Sequence, residues 1–207
     1  MMCLRKWPFS LVVAITACFF VAISNAHETP KTEKTSWEEQ DFPGGDFTLQ
    51  SGDGRLSLHD LHGKVVLLFF GFTSCPDICP MALAVIARMF SMMSPEDLEK
   101  TKALFVSLDP EKDTLDVLTQ YTGYFHPNIV GVTDRLENVI KISERYGVRY
   151  QREDTPDSRL GYVIYHTPDV LVVDTWGRLQ HKRIPPNAKV EEMAAYIKEL
   201  LPHQESQ

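Results

Sequence analysis

The chain has 207 residues, 43% of them hydrophobic, and carries a formal net charge of −7 at pH 7. This length suits one domain with a substantial core. An acidic chain without a basic run is a poor binder of nucleic acid. We therefore expect neither a DNA-binding nor an RNA-binding function.

The N-terminal region has the organisation of an export signal. Arg5 and Lys6 precede an apolar run over residues 11–23, and small residues follow it. This order predicts that residues 1–26 are a secretory signal peptide, with an uncleaved membrane anchor or lipidation at Cys18 as the alternatives. Each alternative predicts an exported protein, periplasmic and soluble or anchored to the inner membrane with its domain on the outer side.

The rest of the chain divides into a linker, one domain and a tail. Residues 27–41 are polar and predict a linker. Residues 42–202 contain the alternating strand and helix patterns of a folded domain. Residues 203–207 are polar and predict a frayed tail.

Along the domain, apolar residues are spaced as in strands and as in helices by turns. In chain order the patterns predict a hairpin of residues 46–49 and 55–58, a strand over 64–72, a helix over 79–93, a strand over 103–108, a helix over 114–124, a strand over 129–132, a helix over 134–146, strands over 160–165, 170–173 and 179–183, and a helix over 190–201. Residues 149–158 are charged and aperiodic, which predicts a surface loop or insertion. The order of elements predicts a thioredoxin-like α/β fold with a mixed central sheet, an N-terminal hairpin extension and flanking helices.

Two cysteines stand where the first long strand gives way to a helix. Cys75 and Cys79 are the cysteines of the predicted domain, because Cys3 and Cys18 lie in the predicted leader. A helix N-terminus favours thiolate, the form that binds metal and attacks disulfides. Positions i and i+4 of a helix hold their Cβ atoms ~5–6 Å apart, whereas a disulfide needs ~3.5–4.5 Å. A metal shared by two thiolates tolerates the wider spacing, but a small loop movement would also permit oxidation, so metal binding and redox activity both remain open.

A third ligand would complete a metal site. The sequence contains seven histidines: His27, His59, His62, His126, His166, His181 and His203. His59, His62 and His126 are expected to be solvated, and His181 is expected on the exposed face of an edge strand. His166 ends a predicted strand at a junction that faces the cysteine helix in a thioredoxin-like fold, which makes it the candidate ligand. Two thiolates and one imidazole suit copper or zinc.

Three segments together resemble a known family. G-F-T-S-C-P-D-I-C-P (71–80), F-V-S-L-D-P-E-K-D-T (105–114) and Y-T-G (121–123) closely resemble the Sco/SenC family of copper proteins, and the resemblance runs from about residue 42 to residue 201. It implies that Cys75, Cys79 and His166 hold one copper ion per chain, as Cu(I) or Cu(II). Family members often carry an acidic residue just before the histidine, where this chain has Tyr165, so the orientation of the imidazole is expected to differ.

The resemblance also implies a function. It predicts a metallochaperone or assembly factor for the CuA centre of cytochrome c oxidase, with the CuA subunit as partner and other periplasmic copper chaperones or thiol reductants as further candidates. The alternative is an enzyme, a thiol–disulfide reductase in which Cys75 and Cys79 are catalytic and His166 is dispensable. Asp77 is interpreted either as a residue that tunes thiolate basicity or as a plain helix-start acid. Asp109 is interpreted as structural or partner-facing.

Overall fold

The computed structural model describes residues 42–156 and 160–202. The predicted leader, linker and tail lie outside the described residues, so the domain boundaries stay a prediction. Within the described part, every helix is too short or too polar to cross a membrane.

The described chain alternates strands and helices as predicted. The elements are β1 (Thr48–Ser51), β2 (Gly54–Ser57), a 3-10 helix (Leu58–Leu61), β3 (Val65–Gly71), α1 (Ile78–Met92), α2 (Pro95–Glu99), β4 (Thr101–Ser107), α3 (Leu115–Phe125), β5 (Ile129–Thr133), α4 (Leu136–Arg145), β6 (Tyr150–Asp154), β7 (Tyr162–His166), β8 (Leu171–Val173) and α5 (Val190–Leu200). The short α2 was not predicted, although Ser94 caps it and Pro95 occupies its first turn, which is a recognisable start signal.

Six strands form one mixed sheet in the order β2-β1-β5-β4-β3-β8. Strands β3, β4 and β5 are parallel, whereas β8 runs antiparallel to β3 and β1 runs antiparallel to β5. The hairpin of β1 and β2 therefore extends the sheet at one edge. The predicted mixed sheet with an N-terminal hairpin extension is confirmed.

Strand β3 is buried along its whole length because helices cover both faces of the sheet. Its odd-numbered side chains, such as Phe69, enter the core formed with α1, α3 and α5, and its even-numbered ones, such as Phe70, enter the core formed with α4 and β7. A strand covered on both faces has an almost continuous apolar sequence, which is why it was predictable. Cys75 lies beyond the end of β3 and contacts both cores.

The prediction of a loop over residues 149–158 is wrong for residues 150–154. Tyr150–Asp154 is a strand, β6, which pairs antiparallel with β7 in a separate two-stranded sheet. Most of its side chains are exposed, so it shows no apolar alternation. It is a strand because its backbone pairs with β7. The Arg152 guanidinium also lies 3.8 Å from the centre of the Tyr162 ring. Neither contact has a local sequence signal.

The predicted strand over residues 179–183 is also wrong. This segment has only one isolated bridge, Val173 with Leu179, and a second bridge, Val170 with Ile184, follows it. A turn precedes this segment, and the Asp174 carboxylate accepts hydrogen bonds from the backbone N–H groups of Trp176 and Arg178. The backbone bends at residue 181, and residues 185 and 186 are prolines, which have no N–H groups to extend a ladder.

Candidate metal centre

Both cysteines lie at the carboxyl end of β3, where ligands bind in open α/β sheets. The backbone N–H of Cys75 donates to the carbonyl of Phe72 (3.2 Å), and this turn leads into α1. Cys79 lies in the first turn of α1 and is fully buried, whereas Cys75 is half-buried. Both side chains are free cysteines rather than a disulfide. The pair therefore combines one accessible sulfur with one enclosed sulfur.

The two thiols have opposite electrostatic environments. A hydrogen bond from the Cys79 side chain is the main cause that lowers the pKa of Cys75 to about 3. Burial opposes this shift, whereas the adjacent His166 side chain and hydrogen bonds from the backbone N–H groups of Asp77 and Cys79 add to it. The same bond to Cys75, together with burial, raises the pKa of Cys79 well above its ordinary value. These opposite shifts favour a thiolate at Cys75 and a thiol at Cys79.

His166 is the last residue of β7, and its ring faces the cysteine pair. Its Nε2 lies 3.8 Å from Sγ of Cys79, a residue 87 positions earlier in the chain. Its Nδ1 lies 3.0 Å from the carbonyl oxygen of Thr167, to which it donates a hydrogen bond. That bond selects the neutral tautomer whose Nε2 lone pair is available to a metal.

Local packing holds the imidazole without an acidic neighbour. The edges of the Phe69 and Phe72 rings contact it, with centroids 6.3 Å and 6.0 Å away. Tyr165, the residue before His166, points away from the site and is 54% exposed. The Thr167 carbonyl and the two aromatic edges therefore orient the His166 ring.

The distance between Cys79 and His166 suits a shared metal ion. Bonds of ~2.3 Å to sulfur and ~2.0–2.1 Å to nitrogen place the two ligand atoms about 3.8 Å apart when the angle at the metal is ~120°. In residues 42–156 and 160–202, no three His, Cys, Asp or Glu side chains already surround one metal position. Cys75 would complete the set by turning its sulfur toward the other two ligands, a small change for a half-exposed residue in a turn.

Gly71 makes room for the enclosed sulfur. A Cβ at this position would lie 2.7 Å from Sγ of Cys79 and 2.9 Å from the Phe105 ring, both closer than atoms can approach. The glycine at the end of β3 therefore lets the sulfur lie directly against the strand backbone.

Asp113 is a residue of the site that the sequence analysis did not single out. It is completely buried and accepts hydrogen bonds from the backbone N–H of Thr73 (3.0 Å), from the Thr73 hydroxyl and from the Ser107 hydroxyl (2.6 Å). It thus ties the turn that carries Cys75 to the end of β4. Its only sequence signal is an acid a few residues beyond a buried strand, within the D-P-E-K-D-T segment.

Asp77 and Asp109, the two acids considered in the sequence analysis, both have structural roles. Asp77 precedes α1 but makes no side-chain capping bond, and it reaches Cys75 through its backbone N–H. Asp109 is buried, and its carboxylate accepts a hydrogen bond from the Tyr162 hydroxyl (2.6 Å). Asp109 is therefore structural rather than partner-facing.

The remaining described histidines lie away from the cysteines. His59 and His62 are exposed as predicted, with ring centroids 4.5 Å apart. The prediction that His126 is solvated is wrong, because its ring is half-buried against Phe90 and burial lowers its pKa. His181 is exposed as expected but lies at a bend rather than in a strand.

Comparisons with known proteins point to the same kind of site as the geometry of the cysteines and His166. A family model described as SCO1/SenC matches residues 36–202. The mouse protein named "Protein SCO2 homolog, mitochondrial" is 32% identical over 182 residues, which are 79% of this chain and 71% of the relative.

Two solved structures share the fold. The apo Sco1 protein from Thermus thermophilus has a TM-score of 0.70 at 34% identity, covering 79% of this chain and 94% of that one. ScoI from Bradyrhizobium japonicum with copper bound has a TM-score of 0.69 at 32% identity, covering 77% and 99%. These similarities confirm the thioredoxin-like α/β fold predicted from the order of elements. This chain belongs to the SCO1/SenC family.

Proposed function

We propose that this protein is a copper-binding metallochaperone or assembly factor for the CuA centre of cytochrome c oxidase, and that Cys75, Cys79 and His166 hold one copper ion. The observation that carries the proposal is the 3.8 Å approach of His166 Nε2 to Cys79 Sγ beside a second cysteine. The copper-bound relative from Bradyrhizobium japonicum supports the choice of metal. Ligand type by itself would also allow zinc.

The unequal cysteines suit a metal that has to be passed on. Thiolates favour Cu(I). Cys75 is already ionised, whereas Cys79 loses its proton when the metal binds, so copper loading releases a proton and weakens in acid. Cys79 and His166 hold the ion from the protein interior, and Cys75 is the ligand that an incoming acceptor thiolate can replace. Its acceptor would be the CuA subunit, with periplasmic copper chaperones or thiol reductants as further partners of an exported domain.

Copper titration of single variants tests the proposal. The reduced wild-type protein is expected to bind one copper per chain in competition with a chromophoric chelator, and Cys75→Ala, Cys79→Ala and His166→Ala are expected to lose copper to that chelator. His59→Ala is the matched control, because His59 is an exposed histidine in the 3-10 helix before β3. Wild-type protein that does not bind copper, or a His166→Ala variant that binds it as tightly as His59→Ala does, would contradict the proposal.

A second function, thiol–disulfide reduction, is favoured by the asymmetry of the thiols. The accessible Cys75 thiolate would attack a substrate disulfide and form a mixed disulfide, releasing one substrate thiolate. Cys79, once deprotonated, would displace the other substrate sulfur, leaving a Cys75–Cys79 disulfide and a reduced substrate dithiol. Thiol counting by mass spectrometry on an oxidised CuA domain separates the functions, since His166→Ala retains reduction if this second function is correct.

A further inference from the structure

His166 belongs to a hairpin that lies outside the main sheet. Strands β6 and β7 pair with each other, and within the described residues neither joins the ladder of the six-stranded sheet. The position of His166 relative to the cysteines therefore depends on side-chain contacts between the hairpin and the rest of the domain.

Strand β7 presents one face to the domain. Tyr162 and Ile164 on this face are each only 5% exposed, and His166 is the next residue on it, because side chains alternate along a strand. Tyr165 points the other way and is exposed. Tyr162 and His166 are thus fixed to the same side of one strand, about 13 Å apart.

Tyr162 makes a polar contact from this hairpin to the central sheet. Its hydroxyl donates to Oδ2 of Asp109 at 2.6 Å, and both residues are buried. Asp109 follows β4, and its backbone N–H donates to the Ser107 hydroxyl (3.0 Å), which itself donates to Asp113. The bond thus connects the hairpin that carries His166 to the network that holds the turn of Cys75.

Two cations hold the Tyr162 ring in place around that bond. Lys112 Nζ lies 4.3 Å from the ring centroid and donates to the Leu160 carbonyl (3.1 Å). Arg152 lies on the ring at 3.8 Å and pairs with Glu111 at 3.2 Å. These contacts depend on the ring and the cations, so removing only the hydroxyl leaves them in place.

We propose that the Tyr162–Asp109 hydrogen bond locks the β6–β7 hairpin against the end of β4 and so positions His166 beside the cysteine pair. Tyr162 and Asp109 are then positioning residues for the metal ligand, a role that deepens the proposed copper function and depends on it only where copper is measured. Without the bond, the hairpin separates more often from the sheet and His166 leaves the site with it.

A double-mutant cycle tests the lock. Tyr162→Phe is expected to release copper about tenfold faster, the usual size for loss of one buried hydrogen bond to a charged group. Its Cu(II) electron paramagnetic resonance spectrum is expected to show weaker nitrogen hyperfine structure than that of the wild type, whereas His166→Ala is expected to lose this structure. In the His166→Ala background, Tyr162→Phe is expected to have no further effect, because the ligand that it positions is absent.

Matched variants complete the cycle. Asp109→Ala is expected to behave like Tyr162→Phe, whereas Tyr165→Phe removes a hydroxyl from the exposed face of the same strand and is expected to change nothing. An equal acceleration by Tyr162→Phe with and without His166 would overturn the proposal, since the effect would then act through general packing or the cysteine turn. An unchanged release rate in Tyr162→Phe would overturn it as well.

A copper-free measurement separates failure of the lock from failure of the copper function. In reduced protein without metal, the nuclear Overhauser effect between the His166 ring proton and the Cys79 β protons is expected in the wild type and in Tyr165→Phe, and is expected to weaken severalfold in Tyr162→Phe. If it weakens while wild-type protein ignores copper, the lock stands and the copper function fails. If it stays unchanged in Tyr162→Phe, the lock fails whatever the copper result.

Discussion

At the scale of single residues, the two cysteines differ in accessibility and in pKa. The pKa of the accessible Cys75 is lowered mainly because the Cys79 thiol and backbone N–H groups donate to its sulfur. Cys79 is enclosed by Gly71 and the Phe105 ring and keeps its proton. A reactive thiolate and a retained thiol result from contacts of a few ångströms rather than from the overall charge of the protein.

The lowered pKa of Cys75 predicts an alkylation rate that hardly changes with pH. With a pKa of about 3, the thiolate is fully formed throughout the range from about pH 5 to pH 8, so iodoacetamide is expected to modify Cys75 at a nearly constant rate there. An ordinary cysteine, with a pKa of about 8.5, would react about tenfold faster per pH unit. Mass spectrometry of the modified peptide measures the rate.

The Cys79→Ala variant is the control for this experiment. It removes the main hydrogen-bond donor to the Cys75 sulfur, so the pKa of Cys75 rises and the steep increase of the rate with pH is expected to return. A steep increase in the wild-type protein would contradict the assigned ionisation.

At the scale of elements, buried polar contacts hold together segments that the sheet does not pair. Asp113, in the loop between β4 and α3, connects the turn after β3 to the end of β4. Asp109, at the start of the same loop, holds the β6–β7 hairpin through Tyr162. This one loop therefore contacts both segments that supply the candidate ligands.

Asp113→Ala is expected to destabilise the protein strongly. It leaves the partly buried Thr73 N–H and the buried Ser107 hydroxyl without their acceptor, which costs about 3 kcal/mol of the free energy of unfolding. Urea denaturation measures the change. Asp116→Ala, an exposed acid in the first turn of α3, is the matched control and is expected to cost at most about 1 kcal/mol. Equal losses in the two variants would mean that the buried bonds contribute little.

At the scale of the whole molecule, the fold brings candidate ligands from distant parts of the chain to one end of the central strand. Strand β3 is buried between two cores and provides a rigid base for Cys79, and the separate hairpin brings His166 to it. An unfolded chain keeps Cys75 and Cys79 near each other but not His166. Only the folded protein can therefore bring all three candidate ligands together.

Copper is therefore expected to raise the melting temperature of the reduced protein. A ligand present at 100 times its dissociation constant stabilises the native state by about 2.7 kcal/mol, which corresponds to about 5–10 °C for a domain of this size. Calorimetry of Cu(I)-loaded and copper-free protein without oxygen measures the shift. His166→Ala is expected to show a much smaller shift, since its cysteines bind copper similarly in the folded and unfolded chain. Equal shifts would exclude His166 as a fold-dependent ligand.

Elements with a strong local pattern were predictable. Strand β3 was predicted from its apolar run, and the other predicted elements that form lie within a few residues of their observed positions. Strand β6 was missed because charged, exposed residues such as Arg152 form it only through pairing with β7. The segment after β8 was predicted as a strand, although its ladder is interrupted at the bend at residue 181. In both errors, contacts with other parts of the chain outweighed local propensity.

The sequence by itself determined the central strand, the order of elements, the cysteine pair at a helix start and the resemblance to a family, because these depend on residues close together in the chain. Only the tertiary structure decided that His166 Nε2 stands 3.8 Å from Cys79, that Cys75 rather than Cys79 is the thiolate, and that Asp113 and Tyr162 hold the surrounding segments. Distances and ionisation of this kind depend on groups that approach each other only when the whole chain has packed, and no local pattern encodes them.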